Sequence, residues 1–162
     1  MKPAIGQLAF AGACLLAAVP ALAGSVSVTL TKPEQYADIP FTPWEREEVL
    51  NGITEHFEKL GRSLPADQDL KIEVLDVDMA GREIPGARTG RDLRVLNGRA
   101  DWPRMRLRYS LESHGKVLAS GEAQLSDMGY LNRTPRYADG ESLRYEKQMI
   151  DDWFKKTFPA AH

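Results

Sequence analysis

Cysteine is almost absent from this chain: Cys14 is the one thiol in 162 residues. It lies inside an apolar N-terminal run, so removal of that run would leave no cysteine. Disulfides, a thiolate nucleophile and a zinc–thiolate centre are then excluded. Histidine is scarce too: His56, His114 and His162 stand at no metal-ligand spacing, so neither metal nor cofactor is expected. No Gly-x-Ser-x-Gly, His-Glu-x-x-His or phosphate-loop pattern occurs. Charge excess is lacking as well. The formal net charge is −2, which together with export argues against nucleic acid as a partner.

What is present begins with an address. Met1 and Lys2 make a positive start, Ile5 to Val19 is apolar, and Pro20 precedes the small-x-small triplet Ala21-Leu22-Ala23. This is the anatomy of a secretory signal peptide cleaved after Ala23. A membrane anchor needs about 20 apolar residues, and this run is shorter. Lipidation at Cys14 is the other rival; it is disfavoured because the apolar stretch continues through Leu15, Leu16 and Val19. Residues 1–23 therefore read as a leader. Residues 24–162 read as a single periplasmic domain with no transmembrane segment.

The charges are unevenly spread. Gly24–Gly81 holds 5 basic and 12 acidic residues, Arg82–Arg108 holds 8 arginines and 3 acids, and the remainder is near neutral. Arginine suits forked contacts with carboxylate or phosphate.

Alternation of Val26, Val28 and Leu30 predicts a first strand. Thr42-Pro43-Trp44-Glu45 predicts a helix start, with a Thr42 cap and a capping box closed by Glu45. Val49, Leu50, Ile53, Phe57 and Leu60 give its apolar face. Leu70–Met79 predicts a strand whose alternation changes phase, by a bulge or by burial on both faces. Leu93–Leu96 could add a short strand ending in an Asn97-Gly98 turn. Arg104–Leu111 alternates cleanly, and Val117–Leu125 should pair with it. A three-residue Ser113–Gly115 loop would set Leu111 opposite Val117, Leu107 opposite Gly121, Arg106 opposite Glu122 and Glu112 opposite Lys116. After a polar loop over Ser126–Glu141, a last helix starts at Ser142, with Met149, Ile150, Trp153 and Phe154 inward. The order β-α-β-β-β-α predicts an α+β fold. In it a mostly antiparallel sheet of about four strands carries both helices on one face.

The candidate site residues follow. Arg104, Arg106 and Arg108 would line the open sheet face, with Arg94 and Arg99 nearby. Arg133, Arg136 and Tyr137 flank them on the long loop. Together they could contact an anionic small molecule, an envelope surface or a periplasmic protein. The plainer alternative pairs the arginines with Glu122, Glu73 and Asp76 at little net gain. Asp76, Asp78 and Asp127 are the candidate acidic site for a hydrolase-like enzyme. A structural envelope protein is the third reading. A non-enzymatic binding module leads.

Three segments carry a family likeness: Gly98–Arg104 (GRADWPR), Leu125–Leu131 (LSDMGYL) and Leu143–Phe154 (LRYEKQMIDDWF). With Leu70–Gly81 they resemble DUF3016, small exported bacterial proteins of unknown function. The resemblance implies a periplasmic single domain and supplies no activity, cofactor or catalytic residue.

Overall fold

The structure is a computed structural model that describes residues 24–84 and 93–159. The leader expected over 1–23 lies outside the described residues. The elements are β1 (Ser25–Leu30), α1 (Pro43–Gly61), β2 (Gln68–Asp78), β3 (Arg82–Ile84), β4 (Leu93–Val95), β5 (Arg104–Ser113), β6 (Lys116–Ser126) and α2 (Arg144–Thr157). The main sheet runs β1-β2-β5-β6, and β3 and β4 form a separate two-stranded ladder. β2–β5 and β5–β6 are antiparallel, whereas β1 lies parallel to β2. The parallel ladder follows from connectivity: α1 carries the chain back before β2 begins, a crossover and not a hairpin. The fold is α+β, with a mixed sheet.

The phase change in β2 is a bulge. Val74 pairs with Leu107 and Asp76 with Arg106, leaving Leu75 unpaired. Val74 and Val77 thus both point into the core, and Asp76 and Asp78 both point out.

The β5–β6 register differs from the expectation by two residues. Leu111 faces Ala119, Leu107 faces Ala123, Arg108 faces Glu122 and Arg106 faces Gln124. Ser113 pairs with Lys116, so the loop has two residues, His114 (φ 50) and Gly115 (φ 75), both left-handed as a type I′ turn requires. Glu112 faces Val117 and Leu111 faces Ala119, so Leu118 is an inserted residue. The bulge repairs the phase that a two-residue turn alone would spoil. Glu112 accordingly pairs with Lys71 at 2.9 Å and not with Lys116.

Both helices cover one face. Leu50, Ile53 and Phe57 of α1, and Met149, Ile150 and Phe154 of α2, pack on Ile72, Val74, Val77, Met105 and Leu107. Gly61 lets α1 lie close on β1, since a Cβ there would sit 1.9 Å from the Val26 side chain. Thr42 does cap α1 and Pro43 does open it, but the Thr42 side chain makes no capping bond. Arg46 turns back instead, its guanidinium donating to the Pro40 (3.2 Å) and Phe41 (2.6 Å) carbonyls. α2 starts at Arg144, two residues later than expected. Leu143 before it is left-handed at φ 59, a strained setting for a branched side chain that buries it in the core.

Candidate functional site

The uncovered sheet face is a grid of charges. Arg104 donates to Asp78 at 3.1 Å and lies over the Trp102 ring, 4.4 Å from its centroid. Burial pushes the Asp78 carboxyl above its ordinary value, against the pull of Arg104. Arg108 sits between Glu73 at 3.1 Å and Glu122 at 3.4 Å. Arg106 faces Asp76 across the ladder, but Asp76 Oδ1 accepts from the Ala37 N–H at 2.9 Å. Among the described residues Arg106 has no carboxylate within ion-pair distance. It lines a shallow cavity of about 420 Å³ with Lys32, Gln35, Asp76 and Arg108. Lys32 is held left-handed, φ 50 and ψ 58, at the entry to a 3₁₀ turn over Pro33–Gln35.

The long loop belongs to the other side of the sheet. Asp127 caps its first turn, accepting from the Gly129 N–H at 3.2 Å. Arg133 bridges Asp127 (2.7 Å) and Asp152 (2.6 Å). Arg136 reaches Asp152 at 2.6 Å, and the Tyr137 hydroxyl donates to Asp151 at 2.9 Å. The loop is strapped to α2 by these bonds. Arg133, Arg136 and Tyr137 therefore share no site with Arg104, Arg106 and Arg108. Asp127 is likewise parted from Asp76 and Asp78, so the three candidate carboxylates do not converge.

Sequence reading missed His56. It is buried on α1, with Nε2 2.8 Å from Asp151 Oδ1. Burial disfavours the Asp151 carboxylate, but the bonds from His56 and Tyr137 outweigh it and hold the carboxyl below its ordinary value. Burial, and the negative Asp151 it faces, push the Tyr137 hydroxyl well up. The signal was in the spacing: His56 falls between Ile53, Phe57 and Leu60, and Asp151 beside Ile150 and Phe154. Polar residues on two apolar helix faces mark buried groups, though not which of them meet. His56 and Tyr137 border a cavity of about 570 Å³ between α1 and residues 137–147.

The three family-like segments are structural anchors. Buried Asp101 accepts from the Asn97 N–H (2.6 Å) and the Arg99 N–H (3.0 Å), and those bonds lower its pKa. Buried Glu146 accepts from the Ala80 N–H at 2.8 Å, and its burial raises its pKa. Among the described residues no three His, Cys, Asp or Glu side chains cluster as a metal site would need. No helix among them is long and apolar enough to cross a membrane.

The family comparison matches residues 24–156 to the model for proteins of unknown function DUF3016. The chain belongs to the DUF3016 family. No curated protein matches it. Among solved structures, it is similar to a Caulobacter crescentus protein described as a candidate lipoprotein, at 14% identity and TM-score 0.38 over 86% of this chain and 88% of that one. A Xanthomonas campestris protein of family DUF330 is similar at 13% identity and TM-score 0.37, over 85% and 82% of the two chains.

Proposed function

We propose that this DUF3016 chain is an exported, non-catalytic binding module of the cell envelope that takes an anionic group on its open sheet face. The observation that carries the reading is Arg106. It is the arginine of the row without a carboxylate partner among the described residues, and it borders a cavity shared with Lys32 and Arg108. Lys32 and Arg106, neither of them ion-paired among the described residues, face the single carboxylate of Asp76 in that cavity, while Arg108 is already held by Glu73 and Glu122. The planar guanidinium of Arg106 can form two parallel bonds to a phosphate or carboxylate, and Gln35 adds an uncharged donor. Arg104 and Arg108, already bonded to acids, position the row more than they attract a ligand. The 126–141 loop, bound to α2, lies outside this site. Export rests on the leader-like residues 1–23 and on a family match that starts at Gly24.

The test uses inorganic pyrophosphate as probe and calorimetry on the mature chain. Arg106→Ala should weaken binding about tenfold or more, the cost of one charge-assisted pair at roughly 1.5–3 kcal/mol. Arg104→Ala should change it far less. Equal effects of the two, or no saturable binding by the native chain, would overturn the reading.

A further inference from the structure

We infer that the outer face of the β3–β4 ladder docks on an anionic bilayer surface. Arg82 pairs with Val95, Glu83 with Arg94 and Ile84 with Leu93. Alternation therefore puts Glu83 and Arg94 on one face, and Arg82, Ile84, Leu93 and Val95 on the other. The face of Glu83 and Arg94 is turned to the body of the protein, where the Arg94 guanidinium forks onto Asp38 at 2.8 and 3.2 Å. The aliphatic face is turned out. Ile84 is 48% exposed, Leu93 57% and Val95 37%, and Leu96 beside them is 37% exposed. An antiparallel ladder with one wet face normally buries its apolar side and shows its polar side. Here the two are exchanged.

The face is presented from a fixed mount. Arg94 ties β4 to Asp38, and the Gly81 N–H donates to the Asp101 carbonyl at 2.8 Å. Gly81 has φ 83 and lies so close to β4 that a Cβ there would sit 2.6 Å from the Val95 carbonyl oxygen.

Charge selects the partner. Arg82 and Arg99 line one cavity of about 500 Å³ at the foot of the ladder, with Asn97, Ala100 and Asp101. Among the described residues neither arginine has a carboxylate within ion-pair distance. The acid in that cavity, Asp101, is buried and engages both oxygens with the Asn97 and Arg99 N–H groups. Aliphatic side chains bordered by unpaired guanidiniums match the boundary of an anionic bilayer: the aliphatics enter the acyl edge and the arginines stay at the headgroup phosphates. Size argues against a protein partner. Two three-residue strands span about 10 Å by 5 Å, far short of the roughly 800 Å² per side that a stable interface buries. The surface shares no residue with the Arg106 cavity.

The test is cosedimentation of the mature chain with vesicles of phosphatidylethanolamine containing a quarter phosphatidylglycerol, against vesicles of phosphatidylcholine. Binding to the anionic vesicles is expected, weakening as salt rises, with little to phosphatidylcholine. Ile84→Ser/Leu93→Ser, at exposed positions, should weaken it about tenfold or more. Arg82→Gln/Arg99→Gln should weaken it several-fold and flatten its salt dependence. Arg106→Ala should leave it unchanged, so failure here and failure of the anion site are distinguishable. Urea midpoints matching the native chain show that the variants fold. Unchanged binding by Ile84→Ser/Leu93→Ser would mean adsorption by charge alone and sink the proposal. Equal binding to phosphatidylcholine, or no binding to either vesicle, would do the same. A native dimer that Ile84→Ser/Leu93→Ser abolishes would give the face to a second copy and overturn it as well.

Discussion

At the scale of single residues, two buried carboxyls on α2 behave oppositely. Asp151 has its pKa lowered in the fold by His56 and Tyr137. Its stabilising effect is therefore complete above the unfolded value of about 4 and is lost as pH falls through the lower folded value. Asp151→Asn should cost about 1–3 kcal/mol at pH 7 and progressively less in acid, read from urea unfolding at both pH values. Glu146 has its pKa raised by burial. The folded chain then holds a proton that the unfolded chain releases, so stability falls as pH rises from the unfolded toward the folded value. Glu146→Gln supplies a neutral acceptor to the Ala80 N–H. We expect it to be more stable than the native chain at pH 7, with the gap closing toward pH 4; a less stable variant at pH 7 would contradict the direction. Residue-level legibility was uneven. The facing of Asp76 and Asp78 toward the arginine row followed from alternation. The His56–Asp151 contact joins residues 95 apart in sequence, and no local pattern sets that distance.

At the scale of elements, periodicity located the four long strands and both helices, because each buries one face. The β5–β6 register was the failure. A turn length and a bulge trade against each other, and alternation alone does not separate a three-residue loop from a two-residue turn followed by the Leu118 insertion. Gly115 checks the observed turn. Its φ is 75, and nothing lies within 4 Å of the position a Cβ would take. Gly115→Ala therefore meets no clash and should cost only the left-handed backbone term, about 1–2 kcal/mol. No loss would mean a different turn. Phe57, fully buried between the sheet and α2, tests the helix layer: Phe57→Ala should cost about 3–5 kcal/mol in urea unfolding. The Thr42 cap was legible in position but not in bonding: its side chain makes no capping bond, and Arg46 instead ties the Pro40 and Phe41 carbonyls before the helix.

At the scale of the whole molecule, the sheet separates two chemistries. One side is an open charged grid with the Arg106 cavity. The other is a helical layer whose loop is strapped down by Arg133 and Arg136. Sequence offered pairing of the row with Glu73, Glu122 and Asp76 as the plainer alternative, and Arg108 does pair with Glu73 and Glu122; that Arg104 takes Asp78 and Arg106 is left without a carboxylate depends on register. Export is checked by sequencing the N-terminus of protein recovered from the envelope fraction: Gly24 is expected, and a chain retaining Met1 in the cytoplasm would contradict it. The central claim is that an anion is taken at Arg106 and Lys32, beside an Arg108 already held by Glu73 and Glu122. Its most direct test is a ¹H–¹⁵N nuclear magnetic resonance titration of the mature chain with inorganic pyrophosphate. We expect saturable shifts at the Arg106 side chain and the Lys32 and Gln35 amides. Shifts centred instead on Arg133 and Arg136, or none that saturate, would contradict the account.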